Sequence, residues 1–273
     1  MPLQISTGAR RLLVKGKALE VMEWNVPGAR DTIVLIHEAL GSASYWKGFP
    51  AQLAESTGAR VLAYSRAGHG DSEGPIEPRS AHYYRRQAEI VLPSLISEFA
   101  IAEPILYGHS EGAAIALLYA ATGYAAKAII AESPILAAGE RTWRTVEQMD
   151  QAQPRAELIA KLRRYHRDPE AVFSSWVEGV RGHLSRELVA AAFLPRVQCP
   201  VLVLEGALDP FTCPTQQALL EAGIARLRHV VLENAGHLPH REQPPIVLES
   251  VARFLTEPLE PKGEVLVDRS CVE

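Results

Sequence analysis

Cysteine is scarce in this sequence, which argues against folds that depend on disulfides or on structural zinc. Three cysteines occur in 273 residues, at positions 199, 213 and 271, and their spacing fits neither a paired framework nor a zinc site. Cys199 precedes a proline at the start of an apolar run, so we interpret it as a small buried apolar group. We therefore expect reduced thiols and no bound metal.

Long apolar runs and an excess of basic charge are also missing. No stretch is long enough to span a bilayer, and the N-terminus lacks a basic segment followed by an apolar core. The formal net charge is −4, so no overall field favours nucleic acid or acidic lipid. These absences predict a reduced, cytoplasmic protein that has neither a nucleic acid nor a membrane as its partner.

What the chain does contain is a series of short apolar runs separated by segments with helical spacing. The runs are residues 32–36, 60–64, 105–107, 128–131, 200–204 and 229–232. Apolar strands that alternate with helices predict an α/β fold, a mostly parallel sheet covered on both faces. In such sheets ligands bind beyond the carboxyl ends of the strands. Loops follow the strands at His37, Gly68, Ser110, Glu132, Asp209 and His237, and we expect them to converge on one edge.

One segment, residues 136–193, differs in texture from the rest. It is rich in Arg, Glu and Gln, contains Trp143 and Trp176, and has no β-branched run of strand length. We interpret it as a helical insert. The expected division is a core made of residues 1–135 and 194–258, the insert 136–193, and a C-terminal tail 259–273. No role follows for the tail, and a contact within a homo-oligomer is one possibility that the sequence leaves open.

The most informative stretch is Gly108-His-Ser-Glu-Gly112, which lies between an apolar run and a long alanine-rich segment. Strand, sharp turn and helix in that order would place Ser110 at the apex of the turn. Glycines on both sides leave room for the chain to fold back tightly. The alternative is an ordinary glycine-rich connection between a strand and a helix.

A serine hydroxyl needs a base to become a nucleophile, and the base needs an acid to orient it. Asp209 and His237 follow Ser110 in the chain, each after a predicted strand. His240 is a competing base, which we interpret as a surface or packing residue. Glu132, at the end of the preceding strand, is a competing acid.

The order Ser, Asp, His around this elbow resembles the α/β-hydrolase fold family, over roughly residues 32–255. Further matching motifs are Ser65-Arg-Ala-Gly-His-Gly-Asp-Ser72, Leu204-Glu-Gly-Ala-Leu-Asp-Pro210 and Ala235-Gly-His-Leu-Pro-His-Arg-Glu-Gln-Pro244. The resemblance implies a doubly wound, mostly parallel sheet with a helical cap inserted after the sixth strand. Serine at position 110 argues against the dehalogenase and epoxide-hydrolase branches, which carry a carboxylate there.

The resemblance also implies a role for each site residue. Ser110 would be the nucleophile, His237 the general base and Asp209 the acid that orients His237. Backbone N–H groups of Glu111 and Ala39 would form the oxyanion hole. The loop departs from the family pattern at one position, because Glu38 stands where the family has glycine. The predicted pocket residues are Glu38, Leu136, Trp143 and Leu238.

The function implied is hydrolysis of a small carboxylic ester or thioester through an acyl-enzyme on Ser110. The expected partner is a small-molecule acyl substrate, and no metal or organic cofactor is required. The same three side chains would also serve C–C bond hydrolysis of ring-cleavage products, lactone opening or cofactor-free perhydrolysis. A protein of another class, a non-catalytic receptor that binds its ligand in the same pocket, is a further alternative.

Overall fold

A nine-stranded sheet forms the centre of the molecule, and it is parallel except near one edge. The computed structural model describes residues 5–136, 139–182, 190–259 and 264–268. The strands are β1 (Ser6–Val14), β2 (Lys17–Asn25), β3 (Thr32–Ile36), β4 (Arg60–Tyr64), β5 (Ile105–His109), β6 (Ala128–Glu132), β7 (Val201–Gly206), β8 (Leu227–Leu232) and β9 (Glu264–Asp268). Their order is β1-β2-β4-β3-β5-β6-β7-β8-β9. β2 pairs antiparallel with both β1 and β4, and all other neighbours are parallel.

The described helices cover both faces of this sheet and, in the insert between β6 and β7, its carboxyl edge. They are α1 (Phe49–Thr57), α2 (Ala81–Arg86), α3 (Leu92–Glu98), α4 (Glu111–Ala121), α5 (Glu140–Met149), α6 (Ala152–Leu162), α7 (Pro169–Gly182), α8 (Ala190–Phe193), α9 (Pro214–Gly223), α10 (Pro239–Glu242) and α11 (Pro244–Thr256). None of these described helices combines the length and the apolar character that crossing a membrane would demand.

The apolar runs of the sequence are explained by burial on both faces of the sheet. Alternate side chains of β3 enter opposite cores: Ile33 and Leu35 belong to one cluster, and Val34 and Ile36 belong to the other. Every residue of β5 and of β6 is buried. A strand covered on both faces has no solvent side, so its sequence shows continuous apolar character instead of alternation. The predicted parallel α/β sheet is confirmed.

Two of the connecting segments contain irregular helical turns. Between β3 and β4, a 3₁₀ turn, Ser44–Trp46, precedes α1. Between β4 and β5, α2 and α3 are joined by a π-helical turn at Gln87–Val91. Pro93 has no N–H to donate, and the wider turn immediately precedes it. Within the tail, β9 extends the sheet beside β8.

The insert between β6 and β7 is helical in its described part, which contains α5 to α8. Residues 137–138 and 183–189 of the predicted insert lie outside the described residues. Apolar side chains of α5, α6 and α7 form a third cluster together with Ala39, Leu40 and Ile135. These three residues belong to loops that follow β3 and β6, so the insert packs over the carboxyl edge of the sheet.

The sharpest close approach in the core joins α4 to the end of β3. A Cβ atom added at Gly112 would fall well inside van der Waals contact of the Ile36 carbonyl oxygen, and one added at Gly108 would overlap the Gly112 carbonyl. Both neighbours are backbone atoms and have little freedom to yield. The two glycines of the elbow therefore allow α4 to begin directly against the sheet.

We expect Gly112→Ala to lower the melting temperature by about 5 °C or more, because overpacking against backbone commonly costs about 1–3 kcal/mol. Thermal unfolding followed by circular dichroism measures this change. Gly8→Ala is the matched control, since a Cβ at Gly8 in β1 would meet no atom within 4 Å. Equal melting temperatures for the two variants would contradict the steric argument.

Candidate active site

The loop between β5 and α4 presents Ser110 at the carboxyl edge of the sheet. Ser110 has φ 56° and ψ −114°, a conformation that residues with a side chain rarely adopt. Its N–H donates to the Glu132 carbonyl of the neighbouring strand at 2.8 Å. The strained turn is thus fixed by the sheet on one side and by α4 on the other.

Three side chains from separate loops form one hydrogen-bonded chain at this edge. The His237 Nε2 atom lies 3.0 Å from Ser110 Oγ, and its Nδ1 atom lies 2.8 Å from Asp209 Oδ2. The other Asp209 oxygen accepts the Phe211 N–H at 2.8 Å. Asp209 is only 1% exposed and Ser110 only 6%. The structure therefore brings together the three residues that the sequence placed far apart.

The loop that carries His237 is held from both sides. The Glu242 carboxylate accepts the N–H of Gly236 at 2.5 Å and the N–H of Leu238 at 3.0 Å. From below, His109 Nε2 lies 2.7 Å from the His237 carbonyl oxygen. Burial lowers the pKa of His109 to about 3, so its ring is neutral and Nε2–H donates to that carbonyl. Backbone contacts therefore orient His237 before any substrate binds.

The hydrogen bond and the charge of His237 favour the ionised form of Asp209. Burial alone would raise the pKa of Asp209, but the hydrogen bond and charge of His237 outweigh it and lower this pKa. Burial would likewise lower the pKa of His237, but Asp209, with help from the charges of Glu38 and Glu132, raises it above its ordinary value. Each partner thus stabilises the ionised form of the other.

The competing acid, Glu132, and the competing base, His240, form hydrogen bonds with each other. The Glu132 carboxylate accepts the His240 N–H at 2.7 Å, lies 2.9 Å from its ring Nδ1, and accepts the Tyr107 hydroxyl at 3.0 Å. Burial would raise the pKa of Glu132, but His240 lowers it to about 2. His240 is buried beside Trp46, with ring centroids 4.9 Å apart. His240 is therefore a packing residue and not a surface residue. Glu132 forms its hydrogen bonds with His240 and not with His237.

The loop after β3 carries Ala39, whose N–H the sequence predicts as the second donor of the oxyanion hole. In a trans peptide the carbonyl and the N–H point in opposite directions, so the Glu38 carbonyl determines where the Ala39 N–H points. Arg66 donates to the carbonyls of His37 at 2.5 Å and Glu38 at 2.8 Å. The N–H groups of Ala39 and Glu111 have no backbone acceptor within the described residues. Both remain available at the edge where Ser110 stands.

The side chain of Glu111 anchors this arrangement. Its carboxylate accepts Arg66 Nη2 at 2.6 Å and Arg79 Nε at 2.9 Å, and all three side chains are buried. Arg79 also donates to the Ala39 carbonyl at 2.8 Å and to Ser175 of α7 at 2.7 Å. Burial would raise the pKa of Glu111, but the two arginines lower it. We call Arg66, Glu111 and Arg79 the buried ion network.

Sequence reasoning missed most of the buried ion network. Arg66 lies in the Ser65–Ser72 motif, which by itself assigns no partner to its guanidinium, and Arg79 lies outside every motif of the sequence analysis. The one available signal was the position of Arg66, directly after a buried strand in a glycine-rich loop. Nothing in the local sequence indicates that Arg66 and Arg79 meet on the carboxylate of Glu111.

A cavity of about 260 Å³ opens beside Ser110 and His237. Its other lining residues come from the core loops and the insert, and they are Glu38, Ala39, Leu40, Tyr45, Tyr84, Glu111, Ile135, Thr142, Met149, Leu158, Trp176, Val180, Phe211 and Leu238. No group of three or more His, Cys, Asp or Glu side chains in the described part of the chain could hold a metal ion.

Two of the four predicted pocket residues line this cavity, Glu38 and Leu238, and two do not. Leu136 packs in the core beneath it, and its N–H donates to Gln216 at 2.8 Å. Trp143 packs against the third cluster, while its neighbour Thr142 faces the cavity. Successive residues of a helix point about 100° apart, so only one of the two can face the cavity. The prediction of Leu136 and Trp143 as lining residues is therefore corrected.

We expect Arg66→Met to lower the free energy of unfolding by about 3–5 kcal/mol, because it leaves the Glu111 charge only partly compensated in the interior. The urea midpoint measures this loss. Arg144→Met is the matched control, since Arg144 pairs with Glu140 on the surface, where such pairs contribute about 0–1 kcal/mol. A midpoint for Arg66→Met equal to that of Arg144→Met would contradict a stabilising role for the buried ion network.

Comparison with known proteins places this geometry in context. Residues 33–249 match the model of the alpha/beta hydrolase family. The human serine hydrolase BPHL is 27% identical over 163 residues, which are 55% of this chain and 53% of that protein. The chain therefore matches about half the length of this curated relative.

Solved structures share the fold over nearly the whole chain. The enol-lactonase of Burkholderia xenovorans LB400 is 21% identical with a TM-score of 0.73, covering 90% of this chain and 100% of that one. The 2-hydroxy-6-oxo-6-phenylhexa-2,4-dienoate hydrolase of Rhodococcus sp. strain RHA1 is 20% identical with a TM-score of 0.76, covering 91% and 99%. The naproxen esterase of Bacillus subtilis is 18% identical with a TM-score of 0.67, covering 93% of each chain. Because the family model spans most of the chain and these folds agree with it, the chain belongs to the alpha/beta hydrolase family.

Proposed function

We propose that this hydrolase cleaves a small carboxylic ester or thioester through an acyl-enzyme on Ser110. The observation that carries the proposal is the chain of hydrogen bonds from Ser110 through His237 to Asp209, which ends at the mouth of the cavity. A hydroxyl within 3.0 Å of an oriented imidazole is placed to lose its proton as it attacks.

In the first half of the reaction, Ser110 Oγ bonds to the carbonyl carbon while His237 Nε2 takes the hydroxyl proton. Asp209 stabilises the imidazolium that forms. The carbonyl oxygen becomes an oxyanion and accepts the N–H groups of Ala39 and Glu111. When the tetrahedral intermediate collapses, the bond to the alcohol or thiol breaks and His237 returns its proton to that leaving group. The acyl group remains on Ser110.

In the second half, water repeats the same steps. His237 removes one proton from water as its oxygen attacks the acyl carbon, and the same two N–H groups stabilise the new oxyanion. Collapse breaks the bond to Ser110 Oγ, which regains a proton from His237, and the acid product leaves. The insert supports this scheme, since Trp176 and other apolar side chains of the insert line the cavity, and an apolar lining strengthens the electrostatic interactions within it.

The alternative functions use the same three side chains to break a different bond of the substrate. The structural neighbours include an enol-lactonase and a C–C bond hydrolase, but identities near 20% carry the fold and not the substrate. A panel of acyl esters and thioesters, assayed beside a lactone and a vinylogous diketone, separates these reactions. Ligand binding without turnover, unchanged in Ser110→Ala, would instead indicate a receptor.

Ser110→Ala should abolish labelling by a fluorophosphonate probe, which reacts only with an activated serine. The labelled protein is measured by in-gel fluorescence. Ser94→Ala is the control, because the Ser94 hydroxyl on α3 donates to the Ile90 carbonyl and lies outside the cavity. Undiminished labelling of Ser110→Ala would refute the assignment of the nucleophile.

The acidic limb of kcat/KM should lie above about pH 6.5, the ordinary pKa of histidine. His237 acts as a base only when neutral, and Asp209 raises its pKa in the folded protein. Activity is therefore full at higher pH and declines as the pH falls through this raised pKa. Asp209→Asn should shift the limb to lower pH and reduce kcat by about 10³–10⁴-fold. An acidic limb below about pH 6.5 in the unsubstituted protein would contradict the proposed pairing of Asp209 with His237.

A further inference from the structure

Glu38 is a lining residue of the cavity, and the proposed reaction does not use its carboxylate. It lines the cavity together with Ser110 and His237, and no described side chain or backbone group forms a hydrogen bond with its carboxylate. Glu111 also lines the cavity, but its carboxylate is occupied by the buried ion network. Glu38 is therefore the one lining carboxylate, among the described residues, that is left free to meet a ligand.

No opposite charge from a lysine or arginine accompanies Glu38 among the described lining residues. The two buried arginines, Arg66 and Arg79, direct their guanidinium groups to Glu111 and to loop carbonyls. Arg241 is also near, but its guanidinium stacks on the Tyr45 ring, 3.8 Å from the centroid, and donates to the Tyr45 carbonyl. None of the three is a lining residue that could anchor a substrate carboxylate.

The electrostatic surroundings of Glu38 also indicate that neighbouring charges compensate its carboxylate only in part. Burial raises the pKa of Glu38, and the positive charges of His237, Arg241, His240 and Arg66 offset only part of that rise. A ligand that brings its own positive charge and N–H donors would supply the hydrogen-bond partner that the carboxylate of Glu38 lacks in the described part of the chain. A ligand carboxylate would add a second negative charge to the same apolar cavity, where like charges repel strongly.

Resting on the function proposed above, we infer that Glu38 is a specificity residue that selects acyl substrates bearing an ammonium group and excludes those bearing a carboxylate. Specificity of this kind combines an attraction for one class with a repulsion of the other. The glycine that the family pattern has at this position could provide neither. The substitution therefore changes the substrate's charge class while the Ala39 N–H beside it remains in place.

The test uses three methyl esters that differ in the group at the end of the acyl chain. Methyl butanoate is neutral, the methyl ester of β-alanine carries an ammonium group, and monomethyl succinate carries a carboxylate. Values of kcat/KM are measured by pH-stat titration at about pH 8, where the ammonium group remains largely charged. The variants are Glu38→Gln, which keeps the shape of the side chain, and Glu233→Gln, a control that removes one charge from an exposed position after β8.

We expect the intact protein and Glu233→Gln to prefer the ammonium ester over the succinate ester by about 100-fold or more, since a charge pair in such a site contributes several kcal/mol of discrimination. In Glu38→Gln this ratio should fall by at least about tenfold. The readout is the ratio between substrates, so a uniform loss of activity through the oxyanion loop leaves it unchanged.

An unchanged ratio in Glu38→Gln, or a preference for the succinate ester in the intact protein, would overturn the inference about Glu38. Those outcomes leave the proposed hydrolysis standing, provided that turnover of any ester is lost in Ser110→Ala. If the intact protein hydrolyses none of the three esters and is not labelled by the fluorophosphonate, the proposed function fails first, and the specificity inference fails with it.

Discussion

The buried carboxylate of Glu111 is the interaction on which the site depends. It sits directly after the strained Ser110 and is held by Arg66 and Arg79, both of which also grip the loop after β3. A buried carboxylate held by two cationic partners is intolerant of displacement, because any shift leaves ions unpaired in the interior. The network therefore couples the serine turn to the loop that carries Ala39. Through Ser175 it also reaches the helical insert.

A second constraint is which buried carboxylate pairs with which histidine. Two buried acids and two histidines at the carboxyl edge form separate pairs, Asp209 with His237 and Glu132 with His240. Each carboxylate is ionised because its histidine is fixed beside it. The pairing separates one dyad that reaches Ser110 from another that supports the loop beneath it. Without that separation, two acids would compete for one imidazole.

The fold could be predicted in outline from the sequence, and so could much of the site. Continuous apolar runs identify the strands because a strand covered on both faces carries mainly apolar side chains, and the predicted runs match β3 to β8 closely. The turn at Ser110 was predictable because only glycine fits where α4 meets Ile36. The insert was predictable as helical. Its lining residues were not, since Trp143 and Thr142 are neighbours in sequence and differ only in the direction they face.

What the sequence determined by itself is the local chemistry: a serine in a glycine turn, and candidate acids and bases after strands. It left Asp209 and Glu132 as rivals for the same histidine, because pairing across about 30 to 110 residues of chain depends on strand order and loop direction and not on local pattern. The tertiary structure decided that contest and brought two distant arginines onto Glu111. It also left the carboxylate of Glu38 without a hydrogen-bond partner among the residues that the structure describes. Such long-range contacts exist only after the loops have converged on one edge of the sheet.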